Sequence, residues 1–199
     1  MLFRSHGVEL AYCNQWSGKD QTDDIFESVE RCFDICDDHD YEGFDYDADG
    51  LGAGVRGDSR VINERRATLH QRQVGVGQFR GSAAVVDPDK EMVKGRKNKD
   101  FFANAKAQGW WALRILFQNT YRAVIKGQEF DPETIISINP SIDHLPTMMM
   151  ELSQPTYKKQ NGKILVDKAP LGSVSPNIAD SVMMSRAPSQ GGFSDYGSI

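Results

Sequence analysis

Between residues 7 and 79, strand-like and helix-like patterns alternate, and this alternation most constrains what the chain can fold into. Residues 7–16, GVELAYCNQW, have strand composition. Thr22 is placed to cap a helix over 23–40, where Ile25, Phe26, Val29, Cys32, Phe33 and Cys36 recur at helical spacing. Acids in its first turn suit the helix dipole. Residues 42–48, EGFDYDA, read as a short strand, 50–57 as a turn, 59–72 as a helix and 73–79 as another strand. The order β-α-β-α-β predicts an α/β protein with parallel neighbouring strands and helices on the faces of its sheet.

The second half is less regular. Residues 81–99 lack periodicity and carry Gly, Pro and charge, which predicts a mobile loop. Asp100 then caps a long helix ending at Gly127. Its apolar face comprises Phe102, Ala105, Leu113, Leu116, Phe117, Tyr121, Val124 and Ile125. Adjacent Trp110 and Trp111 must point different ways. A short helix containing Met148, Met149 and Met150 follows, its methionines serving packing. A hairpin then turns at Asn161-Gly162. Ser175 and Pro176 start a last helix as N-cap and first residue, with Ile178, Val182 and Met183 inward. Residues 188–199 have the composition of a disordered tail, leaving 1–187 as one domain.

Composition narrows the class. A chain of 199 residues with 39% apolar and 26% charged residues can bury one sizeable core. No apolar run is long enough to span a membrane, and the N-terminus is too polar for a secretory signal, so a cytoplasmic location is expected. Cys13, Cys32 and Cys36 read as free thiols of a reducing compartment; His39 alone does not complete a zinc site. The net charge of −5 does not announce a nucleic-acid partner. It is uneven, however, with acids dense over 20–49 and a basic block, KGRKNK, at 94–99. Such a block is ordinarily a solvated loop.

The stretch EGFDYDADGLGAGVRGD, 42–58, carries the most chemistry. Asp45, Asp47, Asp49 and Gly50 imitate the start of a calcium loop, but the twelfth position, where a bidentate acid is required, is Arg56. Gly52, Gly54 and Gly57 imitate a dinucleotide turn. Acids just before that turn would repel a pyrophosphate, and no ribose-binding acid follows at the required distance. Strand geometry leaves a third reading. Asp45 and Asp47 project from one face, a like-charge pair that Mg²⁺ or Mn²⁺ would offset. Two such ions activate water and stabilise a leaving oxygen in phosphodiester hydrolysis. A solvated acidic strand end stays open as the plain alternative.

Five stretches now occur in a familiar order: GVELAYCNQWSGKD, FDYDADGLGAGV, FANAKAQGWWALR, MMMELSQPTYKKQNGKILVDK and SPNIADSVMM. Together they resemble the C-terminal nuclease domain of the large terminase subunit of tailed bacteriophages and prophages, over nearly all of residues 7–187. The resemblance implies a ribonuclease H-like fold, a mixed sheet flanked by helices. It implies a metal-dependent DNA endonuclease that cuts concatemeric viral double-stranded DNA during genome packaging in the bacterial host cytoplasm. The metal would be Mg²⁺ or Mn²⁺, of two-metal type. Portal and small terminase subunit would be partners. Asp45 matches the acid of the family's central strand, with Asp47 its close competitor, and Asp180 matches the acid of the last helix. Lys94, Arg96, Lys97 and Lys99 would touch DNA phosphates without sequence preference. No Walker-type motif occurs, so the motor part is not expected in this chain.

One departure qualifies this. The family's first strand, of form G-x-D-x-A, should precede residue 7, where the sequence reads MLFRSH. Without that carboxylate, impaired catalysis is expected. A second reading follows, a non-catalytic prophage remnant that binds DNA or a packaging partner. A sheet lacking a central strand would also offer an open edge for homo-oligomer formation.

Overall fold

The structure, a computed structural model, describes residues 8–16, 25–49 and 52–190. Its elements run β1 (Val8–Leu10), α1 (Ile25–Asp38), β2 (Gly43–Asp47), α2 (Gly52–Thr68), β3 (Gly75–Phe79), α3 (Asn98–Phe101), α4 (Ala105–Lys126), β4 (Ile136–Ile138), α5 (Leu145–Ser153), β5 (Thr156–Gln160), β6 (Lys163–Asp167) and α6 (Asn177–Arg186). The described residues divide into a smaller unit, within 16–83 together with 189–190, and a larger unit, 8–15 with 84–188.

In the smaller unit, β2 and β3 pair in parallel, joined by α2 as the crossover, with Asp45 opposite Gly77 and Asp47 opposite Phe79. The apolar stripe of α1 buries as its spacing predicts. Val29, Phe33 and Cys36 form a core with Val74, and Ile25, Phe44, Val55, Ile62 and Val76 pack against it. Phe33 meets Phe44 edge to face. Arg66 holds the end of α1 through a bidentate pair with Asp37 at 2.8 and 2.9 Å. The glycine-rich turn expected over 50–57 is shorter than that, because α2 already begins at Gly52 and carries Gly54 and Gly57 within it. A Cβ on Gly54 would lie 3.4 Å from the Ile25 side chain, so this glycine serves close packing of two helices. The cap expected at Thr22 lies outside the described residues.

In the larger unit, β1 pairs in parallel with β4, Val8 opposite Ile136 and Leu10 opposite Ile138. The ladder is three residues long rather than the ten expected over 7–16. Asn139 N–H closes it on the Leu10 carbonyl, and Pro140 then offers no further donor. The hairpin β5–β6 turns at Asn161 (φ 51°) and Gly162 (φ 80°), both left-handed, as its sequence predicts.

The long helix differs from expectation at both ends. Phe102 is extended and bridges Ile164, and Ala103 N–H donates to the Ile164 carbonyl at 2.9 Å. This contact breaks the helix at 102–104, so Asn104, not Asp100, caps α4 by accepting from Ala107 N–H. Gly127 ends it with φ 63°. The first half of α4 is buried, but Tyr121, Val124 and Ile125 are more than half exposed and do not belong to the core. Trp110 is buried, whereas Trp111 meets Phe101, Phe102 and Tyr157 edge to face, with Arg114 over its ring. Of the three methionines, Met148 packs inside and the other two face outward.

Residues 81–99 are irregular but tied down, contrary to the mobile loop expected. Buried Asn98 accepts from Met92 N–H and donates to the carbonyls of Val86 and Asp87. Gln108, also buried, grips Val86 through both its N–H and its carbonyl. The A-K-A-Q motif therefore pins a long loop to a helix.

Candidate functional site

Asp45, Asp47 and Asp49 stand where β2 ends. Asp47 Oδ1 accepts from Asp49 N–H at 2.9 Å, a local turn that fixes its rotamer. Asp49 is committed to Ser82, accepting from its N–H at 2.7 Å and its hydroxyl at 2.6 Å. Asp45 differs from both. It is exposed, yet the protein around it dehydrates the carboxylate enough to raise its pKa above the ordinary value. Its neighbour across the ladder is Gly77, which has no side chain to cover it. A dehydrated carboxylate beside a glycine, with a second carboxylate two residues along the same face, suits a hard divalent cation. These two are a partial ligand set. Among the described residues, no three His, Cys, Asp or Glu side chains gather as metal ligands.

Asp180 belongs to the larger unit, in the first turn of α6. Lys168, just beyond β6, donates to Asp180 Oδ2. This last helix does not start as expected. Pro176 is its N-cap, and no cap bond comes from the Ser175 side chain. The acceptor that a helix start needs is supplied instead by Glu151 of α5, whose Oε2 receives Ala179 N–H at 2.9 Å from a buried position. Gln154 donates to the carbonyls of Lys168 and Val174, at 2.9 and 2.7 Å. The E-L-S-Q segment thus sets both Asp180 and the lysine that meets it. At Gly109, a Cβ would come within 2.6 Å of Met183 Sδ, so α4 carries glycine where α6 crosses it.

Sequence reasoning missed Glu151, Gln154 and Lys168 as positioning residues. The signal was available, since all three lie in the stretches that carry the resemblance. Nothing in a single sequence tells which polar residue of such a stretch turns inward.

The basic block is more neutral than its composition suggests. Lys97 and Lys99 both pair with Asp89, at 3.0 and 2.8 Å. Their bonds hold the Asp89 carboxyl below the usual carboxylate range, and the same contact raises Lys99. Arg96 lies over the Phe101 ring, 6.0 Å from its centroid. Lys94 is exposed and makes no ion pair with a described carboxylate. The cysteines are free thiols, and burial pushes Cys32 up to about 11. No described helix is long and apolar enough to cross a membrane.

No protein-family model matches the chain, and no curated protein matches it. Solved structures do. The nuclease domain of the large terminase subunit gp2 of bacterial virus Sf6 is 29% identical, with a TM-score of 0.73 over 84% of this chain and 74% of that one. A point mutant of the same domain with manganese and β-thujaplicinol matches with the same identity, coverage and TM-score. A mutant with calcium matches over the same shares at 29% identity and a TM-score of 0.71. In fold and in sequence, the chain is a terminase nuclease-domain-like protein of the α/β, ribonuclease H-like class, as the resemblance implied.

Proposed function

We propose that this chain is the nuclease domain of a phage large terminase, a metal-dependent endonuclease acting on double-stranded DNA during packaging. The observation that carries this is the similarity to the Sf6 domain over most of both chains. From within the structure, it is supported by Asp45 and Asp47 standing on one face of β2, with Gly77 leaving Asp45 uncovered across the ladder. The carboxylates proposed as ligands of Mg²⁺ or Mn²⁺ are Asp45 and Asp47 on the smaller unit and, by the resemblance, Asp180 on the larger; the neighbours were solved with manganese and calcium. The metal would supply Lewis acidity and a water activated at neutral pH. The chain's own residues prepare for it. Asp49 fixes Asp47, Glu151 fixes the start of α6, and Lys168 holds Asp180 in one rotamer and balances its charge.

Lys94 and Arg96 would contact phosphates most readily, since Lys97 and Lys99 must first leave Asp89. Portal and small terminase subunit are the partners the reading implies, and self-association through a strand edge is a further one. The test is nicking of supercoiled plasmid in Mg²⁺, Mn²⁺, Ca²⁺ or EDTA. Cleavage in Mg²⁺ or Mn²⁺ and none in EDTA is expected. A well-folded chain that binds duplex DNA but cuts it under no metal would instead support the second reading, a non-catalytic remnant.

A further inference from the structure

The face of the β2–β3 ladder opposite Asp45 carries a cleft that the nuclease reading does not use. Tyr46 pairs with Gln78 on that face, since side chains alternate along a strand. A helix packed over a sheet ordinarily turns an apolar stripe toward it. α2 does so with Val55 and Ile62, which pack with Phe44 and Val76; beside that stripe, Arg56, Ser59, Arg60 and Asn63, with Glu64 next to them, line a cleft of about 410 Å³ whose other wall includes Tyr46, Val76 and Gln78. Positions 56, 59, 60 and 63 are one helical stripe, so the polar lining is built into the sequence.

Three observations define what the cleft lacks. Ser59 is only 3% exposed, and its hydroxyl has no hydrogen-bond partner. Such buried groups are few and call for an explanation. Asn63 is already spent, bonding the N–H and carbonyl of Val74, which fixes α2 against the start of β3. Arg60 shares charge with Glu64 at 3.7 Å, while no described carboxylate pairs with Arg56, one turn before it. Like charges four residues apart on a helix repel, so the lining retains an unbalanced cation and an unused donor. The volume lies within the range of small-molecule sites.

We propose that this cleft binds a phosphate group. The Arg56 guanidinium and the Ser59 hydroxyl donate to its oxygens, and Arg60 adds charge. Gln78 and Tyr46 face whatever the phosphate is attached to. The phosphate could be a free anion or part of a nucleic-acid strand, and the test separates the two.

The full chain is titrated in a calorimeter in EDTA, which removes any metal and keeps the outcome independent of nuclease activity. The probes are inorganic phosphate and the trinucleotide TpTpT. One-to-one binding of at least one probe is expected. Arg56→Ala should weaken it about tenfold, as loss of one charged hydrogen bond does, and Ser59→Ala should weaken it less. Tighter binding of the trinucleotide assigns the site to a nucleic-acid strand; tighter binding of inorganic phosphate assigns it to the free anion. Because Arg56 is exposed, its alanine variant should unfold at the wild-type temperature, and this is measured alongside. Binding of neither probe, or binding unchanged in Arg56→Ala, overturns the proposal.

Discussion

Lys168 Nζ donates to Asp180 Oδ2, joining the end of a hairpin to the first turn of the last helix. Both side chains are largely buried, at 29% and 14% exposure. Removing the lysine leaves a carboxylate in a poorly solvated place. Lys168→Ala should therefore lower stability by about 1–3 kcal/mol, measured by urea unfolding. If Asp180 also faces a metal, Mn²⁺ should raise the melting temperature of Lys168→Ala more than that of the wild type. An equal rise in both would show that the ion does not meet this carboxylate.

Asp45 makes a pH prediction. Dehydration raises its folded-state pKa above the unfolded value. The native state therefore holds the proton more tightly. The stability this contributes is full below the ordinary carboxylate range and is lost as pH rises through the folded value. Asp45→Asn removes the dehydrated charge. It should melt above the wild type near pH 7, and the gap should close as pH falls below about 4. A gap that is constant with pH would show that the charge is not the cause.

How much of this was legible in the sequence follows from which interactions are local. The α1 stripe, the β2 strand, the Asn161-Gly162 turn and the Gly127 cap are set by spacing and by residues that tolerate positive φ. All four read directly. The break before α4 did not, because it depends on Phe102 pairing with Ile164, 62 positions away. Similarly, the start of α6 looked like a Ser-Pro cap, but Glu151 from another helix supplies the acceptor. The basic block reads as a run of free cations, but Asp89, outside the block, pairs with two of its lysines. Strand alternation places Asp45 and Asp47 on one face of β2, and the resemblance places Asp180 in the last helix; the structure has both elements there.

Gln108 offers a structural control. Its side chain satisfies both backbone groups of Val86 from a buried position. Gln108→Ala leaves that pair unsatisfied and should cost about 1–3 kcal/mol. Amide exchange at Val86 should accelerate more than exchange in the core of α4.

Asp37 makes the opposite pH prediction to Asp45. Its hydrogen bond to Arg66, and then the charges of Arg66 and Arg72, hold its pKa below the usual value. Its contribution is present above the unfolded pKa and lost as pH falls through the folded one. The pair is partly exposed, so solvent screening limits it to about 1 kcal/mol or less. Asp37→Asn should melt below the wild type near pH 7 and converge with it in acid.

The central claim is that Asp45 and Asp180 carry metal-dependent DNA cleavage. The direct measurement is the initial rate of supercoiled plasmid cleavage in Mn²⁺ for wild type, Asp45→Asn and Asp180→Asn, each confirmed folded by thermal unfolding. The account predicts cleavage by the wild type and a loss of about 100-fold or more in each variant. Cleavage that survives in both variants would contradict it.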